Sequence, residues 1–380
     1  MVRVNESTLV ANAKSRFLET AKVAYMDTAA EGLPPVEAAQ AIEEYLRLKA
    51  TGSAGRPAIY ERQRQTERAA AELLGTVPEH VALLGSASEG LNLLANSLDW
   101  REGDEVVLND LEFPSNVVAW LRLRRYGVKV RLVSTADGEV RLKDFGSQMG
   151  PRTRLVSVSA VSYKTGTRIP FLAELAEVSH RHGAIFCVDA TQALGRVPVP
   201  LDGVDFLVSS SYKWLLGTHG LGITYFAPAL REHLEPGAAG WFSLDSIFHE
   251  DRFETFGWKP GAAGLQSGMP NFPAIFALKS GLDCLLETGV ERIHSELAPL
   301  VAGLRSGLDG LGLPLLTPAG AEVASGIVSF AHDRPEALGE ALREKSVVVW
   351  AGDGRVRTAL HLYNVERDVA RILDSLRSLV

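Results

Sequence analysis

A chain of 380 residues that is 46% hydrophobic can bury a sizeable core, enough for two or three domains, and has the composition of a globular protein. A formal net charge of −7, from 39 Lys and Arg against 46 Asp and Glu, leaves no broad basic surface for nucleic acid or for a polybasic membrane contact. The two cysteines, Cys187 and Cys284, lie among apolar residues without metal-ligand spacing, which predicts core thiols in a reducing compartment and no disulfide framework.

In chain order, MVRVNESTLVANAK at the start lacks the apolar run of a secretory leader. No later stretch reaches the ~18 apolar residues that span a bilayer, so a soluble, cytoplasmic protein is expected. From Val81 to Phe226 come seven β-rich runs: VALLG, EVVLND, VKVRLV, RLVSVSAV, AIFCVDA, DFLVSS and LGITYF. Helix-like stretches at 116–126 and 171–182 lie between them, with Arg122, Arg124 and Arg125 on a solvated face. Near-continuous apolar strands joined by helical crossovers predict an α/β domain with a mostly parallel seven-stranded sheet, covered on both faces. GAAGWFSLD to KPGAAGLQSG then reads as long loops. Helical periodicity runs from 275 through 306, followed by the strand GIVSF, the helix PEALGEALREK, the strand VVVW and a last helix from 365. The expected organisation is an N-terminal segment, 1–20, packing on the small domain, a large domain at 21–270 and a small α+β domain at 271–380.

Ligands of open α/β sheets gather beyond the carboxyl ends of the strands, and three such ends carry chemistry here. GSASEG, Gly85 to Gly90, follows the first run and opens a helix. Its free N–H groups and the hydroxyls of Ser86 and Ser88 suit a phosphate, although serine before a helix is also an ordinary cap. Asp189 ends AIFCVDA, either capping the next helix or holding a negative charge against a protonated ring nitrogen. Lys213 in SSSYKWLLGTHGLG has no charged neighbour for several positions. It is either a structural lysine snorkelling from an apolar site or an amine made nucleophilic by desolvation. A phosphate cradle, a ring-nitrogen carboxylate and an isolated lysine at successive strand ends are what a pyridoxal phosphate site requires.

VDATQALG followed 24 positions later by Lys213 in SSSYKW resembles the class V aminotransferases, the cysteine desulfurase and kynureninase branch of the fold-type I pyridoxal phosphate enzymes. The resemblance runs from YMDTAAEGLPP to HLYN. It implies that Lys213 joins the cofactor covalently, Asp189 faces its pyridinium and Gln192 its phenolic oxygen. Ala87 and Ser88 would hold the phosphate from one side, and Ser210 and Tyr212 from the other. Phe113 in LEFPSN takes the position whose ring stacks on the cofactor. Tyr212 is similar to kynureninase, and both it and Phe113 stand where desulfurases carry histidine; phenylalanine stacks and desolvates but moves no proton. VSYKTG lines the site through either Ser162 or Tyr163. By register the substrate carboxylate clamp in RVRTALHLYN is Arg357, not Arg355; an Arg357 that merely ties two strands is the structural alternative. Ala29 and Ala30 belong to the substrate-side loop, and Tyr60 is expected to close the pocket.

The resemblance also implies a homodimer with composite sites, because LQSGMPNF is similar to the segment that reaches the neighbouring subunit's phosphate. Met269 replaces the usual threonine there, leaving Ser267 as the hydroxyl at hand. EKSVVVWAGDGRVR lacks the persulfide cysteine that desulfurases carry before the carboxylate arginine. The expected activity is a β-eliminating lyase acting on cysteine or an S-substituted cysteine. The alternative is a class V aminotransferase, ahead of an epimerase, a kynureninase-like hydrolase or a decarboxylation-coupled variant. Retention of Lys213 and Asp189 argues against a non-catalytic cofactor-binding protein. Neither GSASEG nor GTHGLG fits the GxGxxG of a nicotinamide dehydrogenase.

Overall fold

The computed structural model describes residues 15–17, 20, 22–135, 139–232 and 234–379. Most of the segment expected at 1–20 therefore lies outside the described residues. β1 (Ala24–Tyr25) leads to helices α1 (Val36–Ala50) and α2 (Arg56–Leu74). The large sheet then forms from β2 (Val81–Leu84), β3 (Glu105–Asn109), β4 (Lys129–Val133), β5 (Thr153–Ser159), β6 (Ile185–Asp189), β7 (Phe206–Ser210) and β8 (Gly222–Phe226). Its connections carry α3 (Ala87–Ser97), α4 (Ser115–Leu121), α5 (Leu142–Gln148) and α6 (Leu172–Arg181). After α7 (Pro228–Glu232) come the long helices α8 (Phe272–Thr288) and α9 (Val290–Gly310), then β9 (Ile327–Ala331), α10 (Pro335–Glu344), β10 (Val347–Val348), β11 (Trp350–Gly352), β12 (Arg355–Ala359) and α11 (Glu366–Arg377).

All seven expected runs are strands of one sheet, in the order β2-β8-β7-β6-β5-β3-β4. Only β8 runs against its neighbours; the other pairings are parallel. Successive residues of the central strands feed opposite faces. Val156, Val158, Phe186, Val188 and Leu207 enter one core, whereas Leu155, Cys187, Phe206 and Val208 enter the other. That is why these strands read as unbroken apolar runs: both faces are covered, so neither alternating set can be polar. The chain steps outward from β3 to β4 and returns to β5 on the other side of β3, so the connections part at the carboxyl ends of β3 and β5, where such sheets open a crevice.

Several local expectations differ from the structure. The helical stretch 275–306 is two helices, broken at Gly289, whose φ of 83° is open to glycine without Cβ strain. VVVW is not one strand: Val347–Val348 pairs in parallel with β1, and Trp350 begins β11 in a three-stranded antiparallel sheet with β12 and β9. RVRTA, quoted only for its arginine, is the central strand of that sheet. Ala24 and Met26 pack in one core with Val328, Phe330 and Val356, while α8 lies against α1 and α2. A helix as apolar as FPAIFALKSGLDCLL is buried on most sides, so it joins the larger core. No described helix is long and apolar enough to cross a membrane.

Candidate active site

Because β2 runs parallel to β6 and β7 across the inverted β8, the ends of β2, β5, β6 and β7 open on the same edge of the sheet. Ser86, Ala87, Ser88, Phe113, Ser115, Ser159, Tyr163, Asp189, Thr191, Gln192, Ser210, Tyr212 and Lys213 line one cavity there. All eight residues expected to hold the cofactor are in it. The start of β8 must pass tightly beneath: a Cβ on Gly222 would lie 2.9 Å from the Ser86 carbonyl carbon and 3.0 Å from the Ala87 nitrogen. Glycine is therefore required there for the α3 N-terminus to sit on the sheet.

Ser86 is the cap of α3, its Oγ accepting from Glu89 N at 3.0 Å. The ordinary reading holds for this serine. It leaves the amides of Ala87 and Ser88 without a protein acceptor among the described residues, at the positive end of an 11-residue helix. The Ser88 hydroxyl donates to Ser115 Oγ at 2.8 Å, a partner absent from the expected set. Asp189 is buried, and its Oδ1 accepts from Thr191 N at 2.9 Å. Burial raises its pKa, while the Thr191 contacts and Lys213 oppose the shift. Thr191 also accepts from Ser210 N at 3.2 Å, tying the ends of β6 and β7 together. Gln192 bridges two groups, donating to Ala29 O at 2.9 Å and accepting from Trp214 Nε1 at 2.7 Å, which leaves one amide hydrogen for a ligand. Those contacts hold the loop of Ala29, which does not itself line the cavity, against the strand ends.

Lys213 is 7% exposed, and its side-chain amine has no hydrogen-bond or ion-pair partner among the described residues. Its Nζ sits 5.3 Å from the centre of the Phe113 ring and 5.5 Å from that of Tyr212. Burial first and Arg357 second lower its pKa to about 8, against Asp189, Glu31 and Asp27. Burial thus brings the neutral amine within reach of mildly alkaline pH, unlike a surface lysine. Its loop includes Leu216 at φ 57°, an uncommon conformation for a branched side chain. Of the two candidates in VSYKTG, Tyr163 lines the cavity, meeting Phe113 edge-on at 5.0 Å. Ser162 instead turns back to accept from Lys164 N and Thr165 N.

Register along β12 separates the two arginines. Arg355 pairs with Asp353, whereas Arg357 donates to Tyr163 O at 2.9 Å and stands 3.9 Å from Asp27 Oδ1. The Arg357 guanidinium lies over Trp350 at 5.1 Å, and burial lowers its pKa to about 10. Its Nε and Asp27 Oδ1 are both buried without hydrogen-bond partners. Asp27 and Trp350 are partners of Arg357 that sequence reasoning missed; Asp27 lies in YMDTAAEG, and only its charge beside small residues could have flagged it. Tyr60 is not in the cavity: its hydroxyl faces Met269 Sδ at 3.9 Å and its ring packs on Phe242 and Phe272. Cys187 and Cys284 are buried free thiols in the core, with pKa values raised by burial.

The class V aminotransferase family model matches residues 24–375. The chain belongs to this family. Its members depend on pyridoxal phosphate, and the chain is a pyridoxal phosphate enzyme of the carbon–sulfur lyase or aminotransferase kind. An uncharacterized aminotransferase of Bacillus subtilis, YcbU, is 28% identical over 308 residues, 80% of each chain. An apo cysteine desulfurase from Thermococcus onnurineus superposes with a TM-score of 0.90 at 25% identity, covering 100% of this chain and 99% of the other. The cystine C–S lyase C-DES, solved with its product cysteine persulfide, gives 0.87 at 25% identity over 95% and 98%.

The donor set fits the cofactor. Uncommitted amides at a helix N-terminus suit its phosphate, and a buried carboxylate suits a ring N–H. The unpaired buried amine suits its aldehyde carbon.

Proposed function

We propose that the protein is a β-eliminating lyase that acts on cysteine or an S-substituted cysteine and sends the sulfur away on the product. The observation that carries this reading is the placement of its only two cysteines. Both are buried in the hydrophobic core, and the stretch from Ser346 to Arg357 that leads to the expected clamp has none. A sulfur-accepting thiol on the enzyme is thus missing from a scaffold like those of desulfurases and of the C-DES lyase.

When bound, pyridoxal phosphate supplies an electron sink that makes the substrate Cα–H acidic. Ala87 and Ser88 would hold its phosphate through amides and a hydroxyl, helped by Ser210 and Tyr212, and Asp189 would hold its ring N–H. Phe113 would cover the ring and keep water from it. Arg357 clamps the substrate α-carboxylate through its planar fork, beside the loop of Ala29. Lys213 holds the cofactor and then takes the Cα proton; its low pKa places the neutral amine within reach of mildly alkaline pH. The Cα–H and Cβ–S bonds break, the thiolate leaves with the bonding pair, and water hydrolyses the resulting enamine to pyruvate and ammonia. The active unit is a two-fold dimer, supported by the half-exposed Met269, which lies outside its own chain's cavity.

The test is an assay of the purified protein with cysteine, cystine and S-alkyl cysteines. Pyruvate and ammonia in equal amounts without an added keto acid are expected. Turnover that requires a keto-acid acceptor would move the enzyme to the aminotransferases.

A further inference from the structure

We propose that Glu112 is a positioning residue for the cofactor site, fixing the loop that carries Phe113 and placing a second buried negative charge behind Asp189. The inference rests on the family's cofactor occupying the cavity of Lys213. Glu112 receives four hydrogen bonds, two on each oxygen. Asn109 Nδ2 at 2.6 Å and Ser159 N at 2.8 Å donate to Oε1, while Asn116 Nδ2 at 2.7 Å and Ser159 Oγ at 2.5 Å donate to Oε2.

The orientation of both asparagines is fixed independently. Asn109 Oδ1 already accepts from Leu111 N, and Asn116 Oδ1 from Trp120 Nε1 and Ser157 Oγ. Their NH₂ groups must therefore face Glu112, and with the Ser159 amide they make three partners that can only donate. The ionised carboxylate satisfies the whole set. Burial raises its pKa to about 7 against the pull of the Ser159 and Asn116 hydrogen bonds, so the anion is complete above that pH. Among the described residues no cation is hydrogen-bonded to it.

Two consequences reach the cavity. Phe113 is 40% exposed and its ring meets the Tyr163 ring and the Lys213 amine, so the anchoring of its backbone helps decide where its ring stands. Ser159, which binds Glu112 through both N and Oγ, lines the cavity and is the register partner of Asp189. The two carboxylates thus flank one residue. Glu112 faces Asp189 and Cys187 on β6; of the cations, Lys213 bears on Asp189 and Arg357 on Lys213. A buried anion behind Asp189 strengthens proton binding by whatever cationic group Asp189 faces.

The experiment compares Glu112→Gln with the exchange Glu112→Gln/Asn116→Asp, reading the pH midpoint of the bound cofactor's visible absorbance and the melting temperature. In the exchange, the new amide at position 112 can donate both to the new carboxylate at position 116 and to Ser159 Oγ, while its oxygen accepts from Asn109 Nδ2 and Ser159 N and that carboxylate still accepts from Trp120 and Ser157. The hydrogen-bond count is thus restored while the charge moves off position 112. Glu112→Gln should lower the midpoint by on the order of one pH unit. The exchange should melt like the unaltered protein yet titrate below it. A midpoint equal to that of the unaltered protein in the exchange overturns the proposal, whether or not the single variant folds. Unaltered protein that purifies without cofactor would instead overturn the cofactor reading.

Discussion

Replacing Arg357 by lysine tests the clamp at the atom level. The guanidinium reaches three partners from one buried stem: Tyr163 O at 2.9 Å, the Trp350 ring at 5.1 Å and Asp27 at 3.9 Å. A lysine ammonium can meet one acceptor from that position but cannot keep Tyr163 and still present two parallel N–H groups to a carboxylate. The loss amounts to one charge-assisted hydrogen bond, about 1.5–3 kcal/mol, or about 10- to 150-fold in kcat/KM. Steady-state kinetics on cysteine should show it mainly as a higher KM. Arg355→Lys is the internal control, because Arg355 is committed to Asp353 and stacks on Trp350 at 4.6 Å. It should lower the melting temperature while leaving KM within about threefold. A clamp assigned by the wrong register would reverse the two results.

Borohydride should fix the cofactor to Lys213, and Lys213→Ala should lose both that adduct and turnover; an unchanged adduct by peptide mass spectrometry removes Lys213 from the role. Asp27 gives a pH-dependent expectation. Burial raises its pKa to about 6, with Arg357 as the main opposing influence. The native state therefore holds this proton more tightly than the unfolded chain, and the cost of ionising Asp27 appears as pH rises through about 6. Asp27→Asn should stabilise by on the order of 2 kcal/mol at pH 8 and hardly at all at pH 4, which melting curves at the two pH values check. Light scattering at assay concentration should find a dimer, and a fully active monomer would refute the composite site.

The large domain is legible because buried parallel strands leave a strong trace: each of the seven apolar runs is a strand, and the chemistry follows their carboxyl ends. Lys213 and Asp189 stand out because a charge is conspicuous in such surroundings. Thr191, Ser115 and Ser159 do not, since small hydroxyl residues are common at strand ends and only three-dimensional register shows which ones meet. Ser159 becomes visible through its pairing with Asp189. Asp27 is hidden for another reason: it meets Arg357 across 330 positions of chain. The break at Gly289 escapes sequence reading because α8 and α9 are both amphipathic or apolar, and the period alone does not mark one glycine as a stop. Resemblance alone puts Tyr60 in the site, whereas its side chain packs beside Met269.

The central claim is that sulfur leaves with the product and never rests on the protein. The most direct measurement is a sulfur balance for Cys187→Ser/Cys284→Ala against the unaltered enzyme. Protein-bound persulfide is measured by mass spectrometry, and free sulfide or persulfide is measured together with pyruvate. The account predicts one released sulfur species per pyruvate, no protein persulfide in either protein, and kcat in the variant within a few-fold, since both thiols are buried and held protonated. A persulfide on Cys284, or turnover that disappears with it while the cofactor's absorbance is unchanged, would contradict the account and make the protein a desulfurase.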